Sequence, residues 1–86
     1  MDCLVKRRKN GVVVKNADGK KVLTLEKTSA GYKCCAAFAG GSCLAWVYPT
    51  KEEAIRRSFN YLEGLYFPGV TLNGQKSINP FFDALA

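Results

Sequence analysis

The sequence predicts an α+β fold: an antiparallel sheet of about four strands in the order β-β-β-β-α, one helix packed across a face, and an irregular C-terminal tail. Three observations carry this expectation. Val12-Val13-Val14-Lys15 and the run from Lys20 to Lys27 flank an Asn16-Ala17-Asp18-Gly19 loop, the pattern of a hairpin whose glycine takes positive φ. Two further apolar runs, 32–38 and 44–48, are separated by Gly40-Gly41. Thr50-Lys51-Glu52-Glu53 then forms a capping box ahead of a helical stripe.

Each element follows from local chemistry. The chain opens with Cys3-Leu4-Val5 running into Lys6-Arg7-Arg8-Lys9, followed by the turn signal Asn10-Gly11. In the hairpin, Lys21 and Lys27 fall on the parity of Leu23 and Leu25, where they guard the strand ends against edge pairing. Thr28-Ser29-Ala30-Gly31 breaks the pattern, and the strand after it places Tyr32, Cys34, Ala36 and Phe38 on one face. Leu44 to Tyr48 is apolar on both faces, which predicts a central or covered strand.

Pro49 ends that strand and the helix is expected from about 51 to 63. Ala54, Ile55, Ser58, Phe59 and Leu62 recur at helical spacing, and Gly64 stands where a residue after the C-cap would, with Leu65 as its apolar companion. Tyr66-Phe67-Pro68-Gly69 reads as a turn before Val70-Thr71-Leu72 and Asn73-Gly74. In the tail, Asn79-Pro80 suits the start of a short helical turn that packs back. The alternative is an apolar peptide captured by a partner.

Eighty-six residues fit a single domain, 1–86, able to bury roughly 60–65% of its unfolded surface. The net charge of +6 lies entirely within residues 1–33, while residues 34–86 balance to zero. Such asymmetry predicts an electropositive side suited to phosphates or to an acidic protein surface. No N-terminal apolar stretch reads as a signal peptide and no run is long enough for a membrane span, so the expected compartment is a reducing cytoplasm. In it, Cys3, Cys34, Cys35 and Cys43 serve as small hydrophobes, Cys34 and Cys35 pointing to opposite faces.

The residue inventory argues against catalysis. With no histidine, Ser-His-Asp and Cys-His chemistry are impossible, and the cysteine spacing does not suit zinc. Glu52 and Glu53 are helix neighbours that diverge, and no phosphate-binding glycine loop is present. No enzyme activity, cofactor, metal or small-molecule substrate is expected. Arg56 and Arg57 each follow a glutamate by four residues, the favourable order for a solvated ion-paired helix face.

Binding chemistry is better supplied. Lys6, Arg7, Arg8 and Lys9 form a continuous basic run which, in an extended chain, sends two cations to each side. Lys15, Lys20, Lys21, Lys27 and Lys33 supplement it from strands and their ends. Trp46, Tyr32, Tyr48 and Phe38 are candidates for a base-stacking surface, against the commoner role of core residues.

The stretch Gly31-Tyr32-Lys33 through Trp46, then Tyr48-Pro49-Thr50-Lys51-Glu52-Glu53-Ala54-Ile55-Arg56-Arg57, Leu62-Glu63-Gly64 and Leu72-Asn73, resembles the plant ethylene-response-factor DNA-binding domain. Relatives of that domain occur in phage integrases and homing endonucleases. The resemblance covers residues 31–73 and implies a sheet that leads into a Thr-x-Glu-Glu-Ala helix and lays one face in the DNA major groove. Where the family reads bases with arginines and tryptophans, this chain offers Lys33 and Trp46 among Cys, Ala and Leu, which leaves phosphate contact as the implied mode.

The expected function is a small basic nucleic-acid-binding module, with DNA ahead of RNA and no membrane partner. The alternative is a small protein-binding inhibitor or accessory protein of phage type, steered to an acidic protein surface, including that of a nucleic-acid-processing enzyme. Its contact residues would be Tyr61, Tyr66, Ile78, Phe81, Phe82 and Leu85.

Overall fold

The computed structural model describes residues 1–37 and 43–85. Strands β1 (Asp2–Arg8), β2 (Gly11–Lys15), β3 (Lys21–Thr28), β4 (Gly31–Ala37) and β5 (Cys43–Tyr48) come first. Helix α1 (Lys51–Leu65), the two-residue strand β6 (Thr71–Leu72) and helix α2 (Asn79–Leu85) complete the chain. The sheet has six strands in the order β5-β4-β3-β2-β1-β6. Neighbours pair antiparallel except β1 and β6, which run parallel.

The α+β class therefore holds, and the sheet is larger and mixed where four antiparallel strands were expected. The first addition is β1, whose basic second half does not look like a strand by composition. Its pairing with β2, Leu4 opposite Lys15 through Arg8 opposite Gly11, buries Cys3 and Val5 while letting the cations reach solvent. The second addition is β6, too short for any periodicity to show. It forms because Leu72 has a covered place beside Cys3, both fully buried.

Side chains sort cleanly by register. Val5, Val14, Leu23 and Ala36 align across β1 to β4, as do Val12, Leu25 and Cys34 across β2 to β4. This face is covered by both helices: Ala54, Ile55 and Leu62 from α1 and Phe81 from α2 join one buried cluster with it. Cys34 Sγ lies 3.3 Å from Ser58 Oγ, which fixes α1 over β4. The tail does pack back: Phe81 is fully enclosed, with Ile78, Phe82 and Leu85 partly buried around it.

Helix α1 starts as the capping box requires, with Thr50 Oγ1 accepting from the Glu53 N–H at 3.2 Å. It ends later than expected. Gly64 lies inside the helix, and the C-cap is Tyr66, whose N–H donates to Leu62 O at 2.9 Å. The two further residues carry the chain to Tyr66, which packs against the core.

Strand β5 overturns a second expectation: it is the edge of the sheet, with β4 as its one neighbour among the described residues. Of its two apolar faces, the helix side packs Tyr48 against the core, while Ala45 and Val47 stand exposed on the open face. Phe38 and the Gly40-Gly41 turn lie outside the described residues.

Two glycines are demanded by close approach. A Cβ on Gly11 would overlap the Leu25 carbonyl oxygen, and one on Gly31 the Tyr48 carbonyl oxygen. Gly31 also takes a φ of 134°, outside the range of ordinary L residues.

Candidate nucleic-acid interface

The sheet face opposite the helices collects most of the strand cations. Register places Lys6, Val13, Thr24, Cys35 and Ala45 in one row across β1 to β5. A second row runs Arg8, Gly11, Glu26, Lys33 and Val47. A third begins with Leu4 and Lys15 and meets Lys21.

Lys21 arrives there through an irregularity. The β2–β3 register shifts between Val14 and Lys15, so Lys15 faces Lys21 directly. Strict alternation from Leu23 and Leu25 would put Lys21 on the helix side; one extra residue in the strand re-aims it. Lys27 does keep the parity of Leu25. It pairs with Tyr32 on the helix side, while its N–H donates to Asn10 O at 2.7 Å.

At the centre of the open face is a hollow of about 400 Å³ lined by Arg8, Lys9, Gly11, Val13, Lys21, Thr24 and Glu26, among others. Gly11 brings the backbones of β2 and β3 close together at one end of the hollow. Val13, only 1% exposed, gives it an apolar floor. Glu26 is the one carboxylate in the hollow, and its cross-strand partner is Lys33. A directly opposite cation offsets that charge, so the face as a whole remains electropositive through Lys6, Arg8, Lys15, Lys21 and Lys33.

The other cations divide by position. Arg7 points to the helix side of β1, and with Arg8, Lys9, Lys27 and Tyr32 it lines a second hollow of about 220 Å³ at the end of the sheet, against Ala84 and Leu85 of α2. Arg8, Lys9, Asn10 and Gly11 line both hollows, so the β1–β2 turn is a basic ridge between them. Lys20 sits in the β2–β3 loop at the opposite end. There Asn16 Oδ1 accepts from the N–H groups of Asp18 and Lys20, each at 3.0 Å.

Of the basic residues singled out from sequence, five therefore share the open face, three extend it round the β1–β2 corner, and Lys20 stands apart. The sequence did not point to Gly11, Val13, Thr24 or Glu26, because membership of the hollow depends on register. The Asn10-Gly11 turn signal and the β-branched run after it were the available clue.

The aromatic candidates lie elsewhere. Tyr32, Trp46 and Tyr48 take the helix-side parity, Tyr32 and Tyr48 packing against the core. Tyr61 donates its hydroxyl to Ala37 O at 2.8 Å, and Tyr66 is half-buried over the core. On α1, Arg57 meets Glu53 at 3.9 Å, the ion pair expected from its spacing. A partner could reach Phe81 only by displacing α2.

Among the described residues no group of three or more Cys, Asp or Glu side chains comes together as a metal site would need. No helix is long and apolar enough to cross a membrane. Comparison with protein-family models, curated proteins and solved structures finds nothing that matches this chain.

Proposed function

We propose that the protein is a nucleic-acid-binding module that grips phosphates with the helix-free face of its sheet, DNA being favoured over RNA by the resemblance of residues 31–73. The observation that supports this most is the convergence of Lys6, Arg8, Lys15, Lys21 and Lys33 on one sheet face against two carboxylates, Glu26 opposite Lys33 and Asp2 beside β6. Alternation within β1 sends Lys6 and Arg8 to this face and Arg7 away from it. A flat array of flexible cations around a shallow hollow suits an extended chain of phosphates. The small and aliphatic residues between them supply little with which to read base edges.

The test is binding to labelled random-sequence duplex DNA, single-stranded DNA and RNA across a salt series. Micromolar affinity with a log–log salt slope of about −3 to −5 is expected for four or five phosphate contacts. Replacing Lys6, Arg8, Lys21 and Lys33 together by alanine should remove most of that slope, and replacing Lys51, Arg56 and Lys76 should not. Absence of binding at low salt would make the charge a device for steering toward an acidic protein, and the reading would fail.

A further inference from the structure

Among the described residues, the edge of the sheet formed by β5 has none of the usual guards against pairing. Sheet edges are ordinarily protected by lysine, proline, a bulge or a covering element. Cys43-Leu44-Ala45-Trp46-Val47-Tyr48 contains no charge and no proline, and its six-residue register with β4 runs without a shift. Ala45, Trp46 and Val47 are all exposed, Trp46 to 39% and Val47 to 52%, so the strip is apolar on both sides of the edge. We propose that β5 pairs antiparallel with β5 of a second copy of this chain, joining two six-stranded sheets about a two-fold axis.

Three observations select a second copy over another occupant. The first is charge. Like-charged chains meet most easily where they are neutral, and β5 is the uncharged edge of a +6 chain. Across a β5–β5 seam the nearest open-face cations would be the two Lys33 residues, each one strand in from the edge. Three strand spacings separate them by about 14 Å. That exceeds the Debye length of about 10 Å at 0.1 M salt, so their repulsion is screened. An acidic partner, by contrast, would be drawn to β1–β4.

The second observation is at the opposite edge. Strand β6 has two residues, and Leu72 is already bridged to Gln75, its N–H donating to Gln75 O at 2.8 Å. Head-to-tail pairing of β5 with β6 of the next copy is therefore blocked, and the contact closes at two copies without growing into a filament. The third is self-complementarity. An antiparallel strand pair is symmetric about an axis normal to the sheet, so paired residues share a face and both helix layers stay on the same side.

The test is sedimentation of the full chain over a hundredfold concentration range up to roughly 200 µM, with the emission of Trp46, the single tryptophan, followed in parallel. The expected result is a species of twice 9.4 kDa at high concentration, with blue-shifted Trp46 emission as the edge becomes covered. Val47→Lys should sediment as a monomer with unchanged circular dichroism, and Val47→Thr should still dimerise. If V47K does not fold, the concentration dependence of wild-type Trp46 emission decides on its own. A chain that stays monomeric throughout overturns the proposal, whether or not it then captures a foreign strand. So does a dimer that V47K leaves intact, or one that forms without moving the tryptophan emission.

Discussion

The side chain of Asn73 closes two hydrogen bonds on the backbone of Val5, accepting from its N–H at 2.9 Å and donating to its C=O at 3.3 Å. The amide thus stands in for one more residue of strand beside β1, after β6 itself has ended at Leu72. Asn73 has a φ of 51°, in the left-handed region that asparagine tolerates better than most residues. Asn73→Ala should lose the Val5 contact and strain the backbone as well, at a combined cost of about 1–3 kcal/mol. A urea midpoint that moves in proportion would confirm it. Asn73→Asp should lie between, since it retains the acceptor and loses the donor.

A second tie on the same seam titrates. The Asp2 carboxylate accepts from the Thr71 hydroxyl at 2.6 Å and from the Gly74 N–H at 2.8 Å. The Thr71 bond first, and the Gly74 bond second, hold its pKa below the usual carboxylate value of 3.8. A carboxyl whose folded pKa is depressed contributes stability that is fully present above its unfolded pKa and is lost as pH falls through the folded one. The stability difference between wild type and Asp2→Asn should therefore be constant near neutrality and shrink at pH below about 4. Thermal melts of both chains at several pH values read it directly. A difference that persists undiminished at the acid end would show that Asp2 acts otherwise than through its charge.

Gly11 should not accept any side chain. Because a Cβ there meets the backbone oxygen of Leu25, which cannot swing aside as a side chain can, Gly11→Ala must separate β2 from β3. The expected loss is at least about 2 kcal/mol. Since Gly11 also lines the open-face hollow, the variant should weaken nucleic-acid binding beyond what a stability-matched variant such as Asn73→Ala does.

Alternation along β1 makes a finer prediction about the basic run. Lys6 and Arg8 share the open face, while Arg7 is turned to the helix side. Lys6→Ala with Arg8→Ala should lower the salt slope by about 2, one for each lost phosphate contact, and Arg7→Ala by less than about 1. Equal effects from all three would mean that the nucleic acid wraps the end of the sheet.

These distinctions could not all be seen in the sequence. The hairpin of β2 and β3, the strand at 31–37, the capped helix and the apolar stripe on α1 are local, set by turn residues and periodicity, and were legible. Strand β1 was obscured because half of it is charged, and its identity as a strand depends on what pairs with Val5 and Cys3. Strand β6 is two residues long and exists only because Leu72 meets Cys3 from far along the chain. Within the candidate interface, the cations could be counted but not assigned to faces. The shift at Val14 and Lys15 moves Lys21 across the sheet, and no composition rule announces such a shift.

Because β6 and Asn73 complete the outer flank of β1, the first strand of the sheet waits for nearly the last segment of the chain. Closing so long a loop is entropically costly and gains little until the helices have docked. Synthesis on the ribosome would therefore deliver β1 to β4 and leave β1 with an unpaired edge until residues 71–75 emerge. Any truncation ahead of residue 71 would open the sheet at the strand that carries its densest positive charge.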